Sequence, residues 1–134
     1  MALLVPDVGE VDGLNYFVNK TAPQDLIIKL YQNNITPAES DTAATYTVAT
    51  FTGYAQATLT GASWTVTGGA PSSATYAQQT FTSTAGSQSQ NIYGYYLVRA
   101  TSGVLAYAER FSDGPYLIVN NGDQIKVTPT ITMD

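Results

Sequence analysis

The chain of 134 residues contains no cysteine and no histidine. The first absence excludes disulfides, thiolate metal sites and cysteine nucleophiles. The second removes the commonest general base, the commonest zinc ligand and any triad built on imidazole. Charge is scarce too: charged residues make up 11% of the chain and the net charge is −5, where ordinary soluble domains carry roughly a quarter charged residues. The surface must therefore be mostly Thr, Ser, Asn, Gln and Tyr. Three lysines and two arginines, scattered along an acidic chain, cannot form a phosphate-tracking stripe, so no nucleic-acid partner is expected. There is no long apolar run. Met1 to Val5 is short, lacks a basic flank and meets Pro6-Asp7 at once, so it reads as neither a signal peptide nor a membrane span, and no membrane partner is expected. Asn19-Lys20-Thr21 and Asn34-Ile35-Thr36 then match the glycosylation sequon by chance.

Chemistry-bearing motifs are missing as well. The sequence has no phosphate-binding glycine loop, no Gly-x-Ser-x-Gly and no zinc spacing. Asp7, Glu10 and Asp12 lie close together, as do Asp113 and Asp123 if their loops converge, but neither group has the alternating oxygen ligands and central glycine of a calcium loop. No metal, no cofactor and no catalytic residue is expected, and the chain reads as a non-enzyme. Glu109 and Arg110 sit inside an apolar stretch, where a charge is costly unless paired. A catalytic carboxylate is one reading. A structural pair, or an arginine stacked on Tyr93, is the preferred one.

What is present is β-structure. Asn91 to Phe111, NIYGYYLVRATSGVLAYAERF, holds two aromatic-rich runs around Ala100-Thr101-Ser102-Gly103 and predicts a hairpin with Gly103 at positive φ. With Arg99 opposite Val104, Tyr95 would face Ala108 and Leu97 would face Ala106. Both faces carry apolar residues, so both are expected to be covered. Leu26 to Gln32 predicts a strand apolar on both sides. Tyr54 to Thr60, Ser63 to Thr67 and Thr75 to Thr82 predict further strands, and Ser83 to Gln90 a mobile polar loop. Tyr116 to Val119 and Gln124 to Val127 flank Asn121-Gly122, a strong hairpin signal that would set Ile118 against Ile125. Thr128 to Met133 is demoted to an edge or bulge by Pro129.

Two segments suggest helix. Val11, Leu14, Phe17 and Val18 recur at helical spacing and predict a short helix from Glu10 to Asn19, with Asp7 and Glu10 resembling a capping box. Thr36-Pro37-Ala38-Glu39 resembles a helix start of one turn. The fold class expected is all-β: an antiparallel sandwich, jelly-roll or immunoglobulin-like, with a short N-terminal helix, in one domain over residues 1–134.

Contact surfaces follow from the leftovers. Residues 1–9 form an apolar arm, with Leu3, Leu4, Val5 and Pro6, that either covers the domain's own core or adds to a neighbour's sheet edge. The long connection from Asn33 to Phe51, with Ile35, Pro37, Tyr46 and Phe51, is a second candidate. Of the ten tyrosines, those of the hairpin are assigned to the core, and Tyr54 and Tyr76, with Tyr46, to an interface. A carbohydrate-binding sandwich using surface tyrosines and Trp64 is the rival from another class.

The segments LVPDVGE, LIIKLYQNNITPAESD, FTGYAQATLTGASW, ATYAQQTFTS, IYGYYLV and LAYAERF together resemble small virion proteins of tailed bacteriophages. That resemblance implies a structural role, capsid decoration or cementing. It also implies a position on the virion exterior after synthesis in the host cytoplasm, with the major capsid protein as partner and a homo-oligomer, dimer or trimer, as the working form. A tail, fibre or neck component is the alternative within the particle. The resemblance carries no catalytic residues.

Overall fold

A computed structural model of the chain describes residues 3–133. It is a β-sandwich with one helix. In chain order the elements are α1 (Asp7–Phe17), β1 (Leu26–Tyr31), β2 (Ala57–Leu59), β3 (Thr65–Thr67), β4 (Ser72–Thr75), β5 (Gln79–Thr82), β6 (Gln90–Ile92), β7 (Gly94–Arg99), β8 (Leu105–Arg110), β9 (Tyr116–Ile118), β10 (Gln124–Val127) and β11 (Thr130–Met133). The largest sheet runs β2-β1-β7-β8, antiparallel throughout. A three-stranded sheet, β11-β4-β3, and two strand pairs, β10-β5 and β6-β9, supply the rest.

The expected hairpin at 91–111 forms, with Gly103 at φ +71° and the Arg99 N–H donating to Val104 O. Its register departs from strict alternation. Val98 faces Leu105 but Leu97 faces Tyr107, so Ala106 is an extra residue in β8. This β-bulge shifts every pair beyond it by one. Tyr95 therefore faces Glu109, not Ala108, and its hydroxyl donates to the Glu109 carboxylate at 2.8 Å.

Both faces of the large sheet are covered. On one, Ile28, Leu30, Tyr95 and Leu97 pack against Phe81, Ile118, Ile125 and Val127 of the smaller sheets. On the other, Tyr31, Tyr46, Tyr96, Val98 and Leu105 form a second cluster. Its three tyrosine rings lie with centroids 4.8 to 6.5 Å apart, within the range where aromatic pairs attract. Gly94 makes room for it, because a Cβ there would overlap Tyr31 and the Glu109 carbonyl.

Four local expectations are corrected. The Asn121-Gly122 turn exists, with Gly122 at φ +92°, yet β9 and β10 do not pair: β9 joins β6 and β10 joins β5. The Asp123 carboxylate accepts the N–H groups of Val119 and Asn120, and Gly122 and Asp123 bond to the Ser83 backbone. The chain is thus drawn from one strand pair to another. Thr75 to Thr82 is not one strand but the end of β4 and all of β5, which lie in different sheets. The one-turn helix begins at Ala43, not Thr36, because the Asp41 carboxylate takes the Ala38 N–H in a turn and Thr42 caps the following residues. Finally, the segment 83–90 is a strut. Gln90 Oε1 accepts Thr50 and Phe51 N–H, and Gln88 Oε1 accepts Thr52 N–H.

The tyrosine-rich interior makes the fold sensitive to alkali. Burial pushes Tyr31 and Tyr54 from 10.0 up to about 12, and Tyr46 and Tyr95 are raised as well, by burial and then by their carboxylate partners. A folded pKa above the unfolded one means that the folded chain holds the proton longer. The stability this contributes is intact below pH 10 and is lost as the pH climbs from about 10 toward 12. Circular dichroism and tyrosinate absorbance should therefore change together in that window. Gradual ionisation with the dichroism intact would mean that these rings are open to water.

Candidate interaction surface

The helix α1 is built to face the wrong way for an ordinary surface helix. Gly9, Asp12, Gly13 and Tyr16 recur at i, i+3, i+4 and i+7, which puts small and polar residues on one face. That face is turned inward. Gly9 is buried, and a Cβ on it would lie 2.6 Å from the Ala106 carbonyl oxygen, so the helix backbone approaches β8 as only glycine permits. Asp12 Oδ2 meets Arg99 Nε at 2.6 Å, with both side chains 12% exposed. The Arg99 guanidinium stacks over the Tyr16 ring at 4.4 Å. The Tyr16 hydroxyl is shielded from solvent without a hydrogen-bond partner.

The apolar residues whose spacing signalled the helix consequently point out. Val11, Leu14, Phe17 and Val18 are 62, 63, 72 and 70% exposed, and Val8 joins them at the edge. The helix starts three residues before the expected Glu10, with Pro6 as its N-cap and no side-chain cap bond. It ends where Asn19 takes a left-handed φ of +56° and the Lys20 N–H reaches back to Asn15 O. Beside α1, a groove of about 370 Å³ runs between Leu14 and Phe17 on one wall and Ile131 and Met133 of β11 on the other, with Gly13 and Tyr107 among its lining residues. Met133 is 59% exposed.

The residues assigned to contacts from sequence lie elsewhere, mostly inside. Tyr46 and Phe51 are buried in the two clusters. Tyr54 is half-buried, and its hydroxyl accepts the Leu30 N–H. Tyr76 is half-buried edge-on to Trp64, and its hydroxyl accepts the Thr60 N–H. Ile35 gives its carbonyl to Arg110 at 2.7 Å, and Pro37 is half-buried. In the arm, Leu4 exchanges two backbone hydrogen bonds with Ala108, Pro6 is fully buried, and Leu3 packs on the main core. Val5 is half-buried and lines the groove next to α1. Met1 and Ala2 lie outside the described residues. The structure therefore does not gather these ten residues on one face.

All ten tyrosines, and Trp64, are buried or half-buried. Phe17 is the exposed large aromatic instead. Glu109 lines a cleft of about 300 Å³ with Tyr95, Phe111 and Lys126, and no second carboxylate lines it. The glycosidase pair that a hydrolase would need is not assembled there. Arg110 stacks over Tyr93 at 5.0 Å, as the structural reading of that charge expected. Among the described residues no group of three or more Asp or Glu is placed to hold a metal ion, and no helix is long and apolar enough to cross a membrane. No known protein family, curated protein or solved structure matches the chain.

Two pairs of substitutions test how α1 is held. Arg99→Leu leaves a partly buried Asp12 unpaired and should cost about 1 to 3 kcal/mol, whereas Tyr16→Phe keeps the ring under Arg99, removes an unpartnered hydroxyl and should be neutral or stabilising by up to about 1 kcal/mol. Gly9→Ala must push the helix off β8 and should destabilise. Gly13→Ala, where a Cβ would meet nothing within 4 Å, should raise stability by up to about 1 kcal/mol. Denaturant midpoints of the four variants decide it. Equal effects at Gly9 and Gly13 would contradict the close approach.

Proposed function

We propose that this chain is a non-enzymatic structural protein of a tailed-phage particle, decorating the capsid shell, and that α1 carries its contact with neighbouring protein. The observation that carries the contact role is the outward stripe of Val11, Leu14, Phe17 and Val18. Isolated exposed apolar residues need no explanation, but a contiguous patch of this kind on a helix marks an interaction site. The placement of the contact on a virion rests on the sequence resemblance. A low-charge, threonine-rich exterior and a scaffold clamped by the 83–90 strut suit a protein that works by covering surface.

Membrane docking is the weaker alternative for the stripe. Its exposed charged neighbours Asp7 and Glu10 are acidic, and anionic lipid repels them. The sugar-binding alternative has less support, since the tyrosines and Trp64 are buried or half-buried and form no exposed platform.

The test is addition of purified protein to phage capsids that lack it, read by image reconstruction and by the heat tolerance of the particle. Ordered, symmetric occupancy with a tougher shell is the expected result, and Leu14→Asp should reduce occupancy by about tenfold or more. Density confined to the tail, or no binding, would overturn the decoration role.

A further inference from the structure

We infer that the outward face of α1 is covered by the same face of a second copy, the two helices running antiparallel about a two-fold axis at Leu14. This rests on the reading of α1 as the contact surface and names its partner. The order of side chains along the exposed face is the first argument. It begins with acidic Asp7, flanked by exposed Glu10, and continues through apolar Val11, Leu14 and Val18. Its acidic end is the N-terminal one, and the rest is apolar. Laid antiparallel on itself, Val11 meets Val18 of the second copy, Leu14 meets Leu14, and the two acidic ends lie apart. A parallel pair would bring the Asp7 and Glu10 carboxylates of the two copies side by side, like charge against like. The antiparallel arrangement is also the one in which the two helix dipoles attract.

Area is the second argument. Val11, Leu14, Phe17, Val18 and Met133 at their observed exposures present roughly a few hundred Å² of apolar surface, the size of patch that marks an interaction site. A standard stable interface takes about 800 Å² from each partner and is roughly 60% apolar, and the stripe would form its apolar centre. Isologous two-fold contact is also the commonest way for one chain to bury one patch. A helix of three turns is marginal on its own. In the monomer α1 rests on β8 through Gly9 and the Arg99 pair, and a second helix would cover its other side.

Because the chain has no cysteine, single introduced thiols report the geometry directly. Under mild oxidation Leu14→Cys should give a covalent dimer. Val11→Cys and Val18→Cys should each link poorly to themselves and well to each other when mixed. Sedimentation of the intact protein should give a dimer. Leu14→Asp should raise its dissociation constant by about 100-fold with unchanged circular dichroism.

A monomer in sedimentation, or a dimer indifferent to Leu14→Asp, overturns the proposal. So does preferential Val18-to-Val18 linkage, which would indicate a parallel pair. The capsid-binding assay separates the two ideas. A monomer whose shell occupancy is still reduced by Leu14→Asp puts the shell on this face and leaves the decoration reading standing. A dimer that obeys the thiol pattern but binds no capsid keeps the dimer and removes the decoration role.

Discussion

The contact between Arg99 and Asp12 fixes which way α1 faces, and the character of the molecule's surface follows from it. Arg99 ends β7 and reaches α1 through a 2.6 Å pair, with Tyr16 stacked on its guanidinium. A buried pair of this kind adds little net stability, because desolvation offsets the attraction, but breaking it is costly. Rolling the helix over would bury Val11, Leu14 and Val18, each worth roughly 1.5 to 3 kcal/mol when fully covered. It would also leave Arg99 without its carboxylate and force a branched side chain into the place where Gly9 touches the Ala106 carbonyl. There is no room for that side chain. Backbone proximity on β8 and one charge pair therefore overrule the hydrophobic preference of the helix, and the apolar stripe is left outside.

The site of that proximity is prepared by the bulge in β8. Ala106 is both the extra residue of the hairpin and the residue whose carbonyl meets Gly9. Bulges bend and twist the strand that carries them. The same irregularity moves Glu109 opposite Tyr95 and gives the carboxylate a hydroxyl partner, which turns a charge inside an apolar hairpin into a satisfied group. One inserted residue thus settles the position of the helix and the fate of the most suspicious carboxylate.

Sequence patterns carried the sandwich, the strand at Leu26, the hairpin at 91–111 and the presence of a helix near the start. These features rest on local chemistry: apolar runs of strand length, a glycine able to take positive φ, and a 3.6-residue repeat. The misreadings share a cause, which is competition from partners distant in sequence. Asn121-Gly122 turns as expected, but Ser83 and the Asp123 carboxylate direct the strands on either side to different neighbours. Alternation at 75–82 is real, yet Thr75 and Gln79 belong to different sheets. The helix period was legible, but its orientation depended on Arg99, 87 positions away from Asp12. The available signal was the second repeat in the same segment. Gly9, Asp12, Gly13 and Tyr16 form a small and polar face as regular as the apolar one, and a lone arginine at the end of an apolar hairpin needs a carboxylate.

Tyrosine was the most misleading clue to the surface, and the reason is physical. A phenol offers a large apolar ring and one hydroxyl, so it can serve an interface or fill a core whose margin supplies an acceptor or donor. Here the margins supply them: Asp41 for Tyr46, Glu109 for Tyr95, the backbone of Leu30 for Tyr54 and of Thr60 for Tyr76. In a chain with few charged residues, those hydroxyl bonds take over part of the tethering that ion pairs perform elsewhere. The tyrosine rings are then spent inside, while the apolar side chains of α1, which have no polar end to satisfy, can remain outside without leaving a hydroxyl unpaired. The division of labour runs from side-chain chemistry to function: tyrosines hold the sandwich together, and valine, leucine and phenylalanine on the helix are left to hold it to something else.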